Sequence, residues 1–102
     1  KLISITRNMG WCDDTKSSKY NKLIRFPFNY SAEKLFIIQN IYDYIIVINY
    51  NMDPIRKNKG SAIFLHIATK NYKSTNGCIA VSKKDMKKII RFLNYRSKIT
   101  IV

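Results

Sequence analysis

Only one stretch of this chain carries the period of a helix. Ser82 stands three residues before Asp85, the spacing at which a hydroxyl caps the first turn, and Met86, Ile89, Ile90 and Leu93 follow at i, i+3, i+4 and i+7. The opposite face carries Lys83, Lys84, Lys87, Lys88 and Arg91, the composition of a solvated surface. Everything before this helix consists of short β-branched and aromatic runs broken by Gly, Pro and Asn. One helix and several short strands predict a mainly β, β-rich α+β fold, a sandwich or sheet with a single amphipathic helix in its C-terminal half.

Along the chain, Leu2, Ile3 and Ile5 suggest a short strand, and Asn8 to Asn21 reads as a long polar loop. Phe26-Pro27-Phe28 is expected to be extended, and Ser31 to cap a short helix through Glu33, Leu35 and Phe36. Tyr44 to Tyr50 reads as a buried strand, closed by the turn-prone Asn51 to Gly60 with Pro54 inside it. In Ser61 to Ala68, alternation puts Ala62, Phe64 and His66 on one face and Ile63, Leu65 and Ile67 on the other. Short strands follow at Cys78 to Val81 and Ile99 to Val102. The 102 residues are expected to form one domain, 1–102, without repeats or linkers. The longest apolar run, Ile45 to Ile48, is far too short for a transmembrane segment. The chain opens at Lys1 with no leader pattern, so an export signal would have been removed or left out.

Nineteen Lys and Arg against six Asp and Glu give a net charge of +13, which favours anionic partners: nucleic acid, anionic lipid or a cell-wall polymer. An adenine- and thymine-rich genome, which also favours Lys, Ile, Asn and Tyr, accounts for the same bias. Two cysteines, Cys12 and Cys78, do not make a disulfide scaffold, although a bridge between them in an oxidising compartment would silence Cys78. With one histidine, no C-x-x-C pair and only Asp13 and Asp14 nearby, no metal site is expected.

His66 and Cys78 lie on strands that follow one another and can pair, so the two side chains can meet across a β-ladder. A free thiol is only a few per cent ionised at neutral pH, and an imidazole that takes its proton turns it into a nucleophile. Gly77 permits an unusual turn that aims the sulfur outward and leaves main-chain N–H groups for a developing oxyanion. The competing reading makes His66 a satisfied core histidine and Cys78 a small buried hydrophobe.

The stretch GSAIFLHIA, residues 60 to 68, followed by STNGCIAVS, residues 74 to 82, resembles the active-site signature of the L,D-transpeptidase (YkuD-type) domain. GWCDD with Tyr20-Asn21, and NYNMDP at the end of the central strand, extend the resemblance over most of the chain. It implies that Cys78 is the nucleophile and His66 its base, with Thr75 and Gly77 matching the Ser/Thr and Gly of the family's Ser/Thr-His-Gly-Cys motif. Asn76 stands where that motif has histidine, Ala80 where an arginine is usual, and the gap from His66 to Cys78 is shorter than the commonest one. The family's leading strands and its Gly/Thr-Pro-Gly region are not found, which implies a divergent, N-terminally truncated form.

What the resemblance further implies is acyl transfer on peptidoglycan stem peptides through a Cys78 thioester, without cofactor, in the periplasm or cell envelope. Backbone N–H groups around Cys78, Gly77 and Asn76 would hold the oxyanion. Trp11, Tyr50, Asn51 and Tyr72 are candidates for the substrate groove, since aromatic faces and amides suit a polar peptide. For Trp11, plain core packing is the alternative. A hydrolase on the same site is the nearest other function, because water competes with an amine for the thioester. A basic module for nucleic acid or another anionic polymer explains the charge but not the Gly-Cys and His arrangement, so nucleic acid is not the expected partner.

Overall fold

The computed structural model describes residues 2–37, 40–69, 77–94 and 96–100, apart from the side chain of residue 40. They form two three-stranded sheets, a short 3-10 turn at Asn40–Tyr42 between them, and one α-helix.

In the first sheet, β1 (Met9–Cys12) lies between β2 (Leu23–Arg25) and β3 (Ala32–Lys34), both antiparallel to it. All four β1 residues are buried. Gly10 is needed there because a Cβ would stand 2.6 Å from the Phe26 ring, which lies against the strand. The loop expected from Asn8 to Asn21 therefore starts only after Cys12. Met-Gly-Trp-Cys has no β-branched residue, and burial on both faces removes the alternation that marks a half-exposed strand.

Other expectations in this half also change. Leu2 and Ile3 belong to no strand and are 91% and 54% exposed. The Ser31 hydroxyl donates to Asp13 Oδ1 at 2.7 Å and its N–H to Asp14 Oδ2 at 3.1 Å, so it closes a loop, and the chain continues as β3 in place of a helix. Phe26-Pro27 is a bend with a cis peptide bond, not an extended pair.

The second sheet has the order β4 (Ile45–Val47), β5 (Phe64–Ile67), β6 (Ile79–Val81). β4 runs antiparallel to β5, and β6 parallel to it in the register Leu65↔Ile79, His66↔Ala80, Ile67↔Val81. The strand expected at Tyr44 to Tyr50 is thus shorter, and it is a half-buried edge with Val47 43% exposed. β5 begins later than expected because Ala62 has φ +55°, outside the β region. Residues 99 and 100 are not in a strand, and the rest of the expected terminal strand lies outside the described residues.

The helix α1 (Lys83–Phe92) starts where the sequence predicts, with Ser82 Oγ accepting from Asp85 N–H at 3.1 Å. Its fully buried Met86 packs with Leu65 and Ile67, while the lysines face solvent. β5 alternates as read within Phe64–Ile67: Phe64, with Ala62 just before the strand, joins Met9, Trp11, Leu35 and Tyr42 in one core cluster, and Leu65 and Ile67 join Met86 in the other. The fold is β-rich α+β, and among the described residues no helix is long and apolar enough to cross a membrane.

Candidate active site

Cys78 stands one residue before β6, so continuing the parallel register sets it beside Phe64. Its thiol donates to Ala62 C=O at 3.2 Å and accepts from Phe64 N–H at 3.4 Å. Partial burial pushes the thiol pKa up; the Phe64 N–H pulls it down, and the negative charge of Glu33 pushes it up again, with a net rise. At neutral pH the sulfur therefore rests as a neutral thiol.

His66 lies two residues along β5 on the face of Phe64, and it is 4% exposed. Its Nδ1 is 2.9 Å from the Ile67 carbonyl oxygen. A carbonyl only accepts, so Nδ1 carries the proton and Nε2 keeps the lone pair. His66 pairs with Ala80, two residues beyond Cys78, so the two residues are diagonal neighbours on one face, about 8 Å apart by strand spacing and a two-residue rise. That span suits a long side chain on one side and a short one on the other.

The backbone that receives the thiol is itself anchored. Asn21, buried and at φ +57°, accepts through Oδ1 from Trp11 Nε1–H at 2.8 Å and from Ala62 N–H at 3.1 Å. Its Nδ2 donates to the carbonyls of Asn51 at 2.8 Å and Tyr50 at 3.3 Å. One side chain thus ties three segments together and holds Ala62 in a left-handed conformation that costs a non-glycine residue about 1–2 kcal/mol. Tyr42 packs edge-to-face with His66, ring centroids 5.4 Å apart, and its hydroxyl donates a hydrogen bond to Glu33 Oε1.

The other expected site residues fall in several places. Gly77 has φ +92°, the left-handed region in which glycine alone is unstrained, immediately before the cysteine. Thr75, Asn76 and Tyr72 lie outside the described residues. Trp11 is no groove residue: its ring is buried edge-on against Phe64 at 5.3 Å. The Asn51 amide is likewise used within its own loop, donating to Arg56 C=O and Gly60 C=O at 2.8 Å each. Tyr50 is 52% exposed, with its ring against Gly60. Cys12 and Cys78 are not joined by a disulfide, and Cys12 lies within the core. Among the described residues no three His, Cys, Asp or Glu side chains converge as metal ligands.

Sequence reasoning missed the parts played by Asn21, Tyr42 and Glu33. Asn21 offered one signal, since asparagine tolerates the left-handed region better than other side chains. Tyr42 and Glu33 offered none, because their contact exists only once the two sheets are packed.

The family model described as the L,D-transpeptidase catalytic domain (YkuD) matches residues 2–101. Neither a curated protein nor a solved structure matches the chain. Extended over both sheets and the helix, the match takes in Gly77, Cys78 and His66 despite the departures at Asn76 and Ala80. The chain belongs to the L,D-transpeptidase catalytic domain family (YkuD), whose members act on peptidoglycan.

Proposed function

We propose that this chain, as one domain of 102 residues, is a cysteine-dependent L,D-transpeptidase acting on peptidoglycan stem peptides in the cell envelope. The observation that carries the reading is the tautomer of His66: Nδ1–H is held by the Ile67 carbonyl, and Nε2 keeps its lone pair on the face that Cys78 shares.

Cys78 passes its thiol proton to His66 Nε2, and the sulfur bonds to the carbonyl carbon of the diamino-acid residue third in the stem. The oxyanion is held by backbone N–H groups at Gly77 and Cys78, each worth about 3 kcal/mol in such a role. Collapse breaks the bond to the terminal D-alanine, whose amine takes the proton from His66. An amine of a second stem then attacks the thioester carbonyl and gives up a proton to His66; the C–S bond breaks as the amide forms, and His66 returns the proton to the departing sulfur of Cys78. Burial keeps the resting sulfur protonated, so the Sγ–H must turn from the Ala62 carbonyl toward His66 as substrate enters. No cofactor takes part.

Intact mass after incubation with a carbapenem, an acylating β-lactam, tests this. Wild type should gain one adduct, Cys78→Ala none, and His66→Ala an adduct formed at least about a hundredfold more slowly. A correctly folded wild type that stays unmodified overturns the reading. Analysis of products with a stem tetrapeptide, with and without an amine acceptor, separates transpeptidase from hydrolase.

A further inference from the structure

Trp11, Phe64, Tyr42 and His66 form a continuous aromatic row from the core to the imidazole. Trp11 meets Phe64 at 5.3 Å and 88°, Phe64 meets Tyr42 at 6.0 Å and 83°, and Tyr42 meets His66 at 5.4 Å and 74°. Edge-to-face contacts are directional, so each ring limits the rotation of the next. Tyr42 is the hinge of this row. It is buried, sits on the 3-10 turn Asn40–Tyr42 between the sheets, and reaches across to the first sheet, where its hydroxyl donates to Glu33 on β3.

The geometry points to Tyr42, anchored by Glu33, as a positioning residue that holds the His66 imidazole in the tautomer and orientation that present Nε2 to Cys78. This rests on the reading of His66 as the base. The hydrogen bond from Nδ1 to Ile67 fixes one end of the ring, yet a single bond leaves the ring free to swing about it. The Tyr42 edge supplies a second, non-collinear restraint, which is what a fixed orientation requires.

The choice of Glu33 as anchor has a cost at the nucleophile. Glu33 is the sole glutamate of the chain, and its charge disfavours the thiolate of Cys78. Among the described residues, the charge of Glu33 on β3 acts on the thiol, Tyr42 on the 3-10 turn interacts with it electrostatically, and His66 on β5 shares its face; α1 covers the opposite face of β5 and brings the apolar Met86. Burial and the bond to Glu33 hold the Tyr42 hydroxyl protonated throughout the working range, so Tyr42 anchors without titrating. Removing the charge while keeping an acceptor should therefore move the thiol and leave the imidazole in place.

His66 is the only histidine, so its two ring nitrogens can be read by 15N NMR without ambiguity. The second readout is the pH profile of Cys78 alkylation by iodoacetamide, followed by peptide mass with Cys12 as internal control. Wild type should show a single Nδ1–H tautomer. Tyr42→Leu should show a mixture of tautomers and carbapenem acylation about tenfold to a hundredfold slower, and Tyr42→Phe, which keeps the ring, should restore most of both. Glu33→Gln should keep the tautomer and shift the alkylation midpoint to lower pH. A folded Tyr42→Leu with wild-type imidazole shifts overturns the proposal. If Tyr42→Leu does not fold, Tyr42→Met takes its place with the same two outcomes. Both readouts are independent of turnover: a tautomer that responds to Tyr42 in a chain no carbapenem acylates supports the positioning role and rejects only the catalytic reading.

Discussion

Asn21 bears more of the site than any residue that touches substrate in the proposed reaction. It supplies one acceptor to two buried N–H groups, those of Trp11 and Ala62, and two donors to the loop after β4. Replacing it with alanine leaves both N–H groups buried without that acceptor, at about 1–3 kcal/mol each. Asn21→Ala should therefore lose about 2–6 kcal/mol in urea denaturation followed by Trp11 fluorescence. Acylation of Cys78 should slow as well, since Ala62 holds both its strained φ and the carbonyl that receives the thiol. A loss below about 1 kcal/mol would show that water or a backbone shift replaces the amide. That Cys78 and His66 fall on one face of the second sheet was readable from sequence, because β5 and the segment leading into β6 follow one another and can pair. Their supporting residues were not, since Glu33, Tyr42 and Asn21 reach the site from segments at least 24 residues from His66 along the chain.

Among the elements, α1 was the most legible because its signals are local. A cap at Ser82 and a 3.6-residue apolar period need no partner to be recognised. The same features predict its energetics: Met86→Ala, at a fully buried position, should cost about 2–5 kcal/mol, and Ser82→Ala about 1 kcal/mol through the lost cap. Differential scanning calorimetry of the two variants checks both values and their order. β5 was legible in its alternation, which feeds two core clusters from its two faces. β1 was not, for a physical reason: a central strand buried on both sides has no polar phase to reveal its period. The mistaken strand at Leu2 to Ile5 is the converse case, an alternating pattern with no neighbour to pair with among the described residues. Periodicity reports what a segment could bury, and only packing decides what it does bury.

At the scale of the whole molecule, proton binding sets a stability window. The Cys78 thiol and the Tyr42 hydroxyl both have pKa values raised by burial in the folded chain. Below the ordinary thiol value of about 8.5, folded and unfolded chains both carry these protons and stability is at its full value. Above it the unfolded thiol ionises first, and from about pH 10 the unfolded phenol follows, so stability falls as pH rises. Asp14, lowered by N–H bonds from Lys16 and Ser31, acts at the other end: its contribution is present above about pH 4 and fades as pH falls. Tm should thus form a plateau that declines on both sides, and Cys78→Ala should delay the alkaline decline. A Tm level from about pH 8.5 to about pH 11 would contradict the buried, protonated state of both groups. One last consequence comes from the parallel pairing of β5 with β6. In such a ladder the offset between Cys78 and His66 is written in hydrogen-bond register and is indifferent to how many residues join the two strands. A longer or shorter connection between the two strands would therefore leave Cys78 and His66 at the same offset.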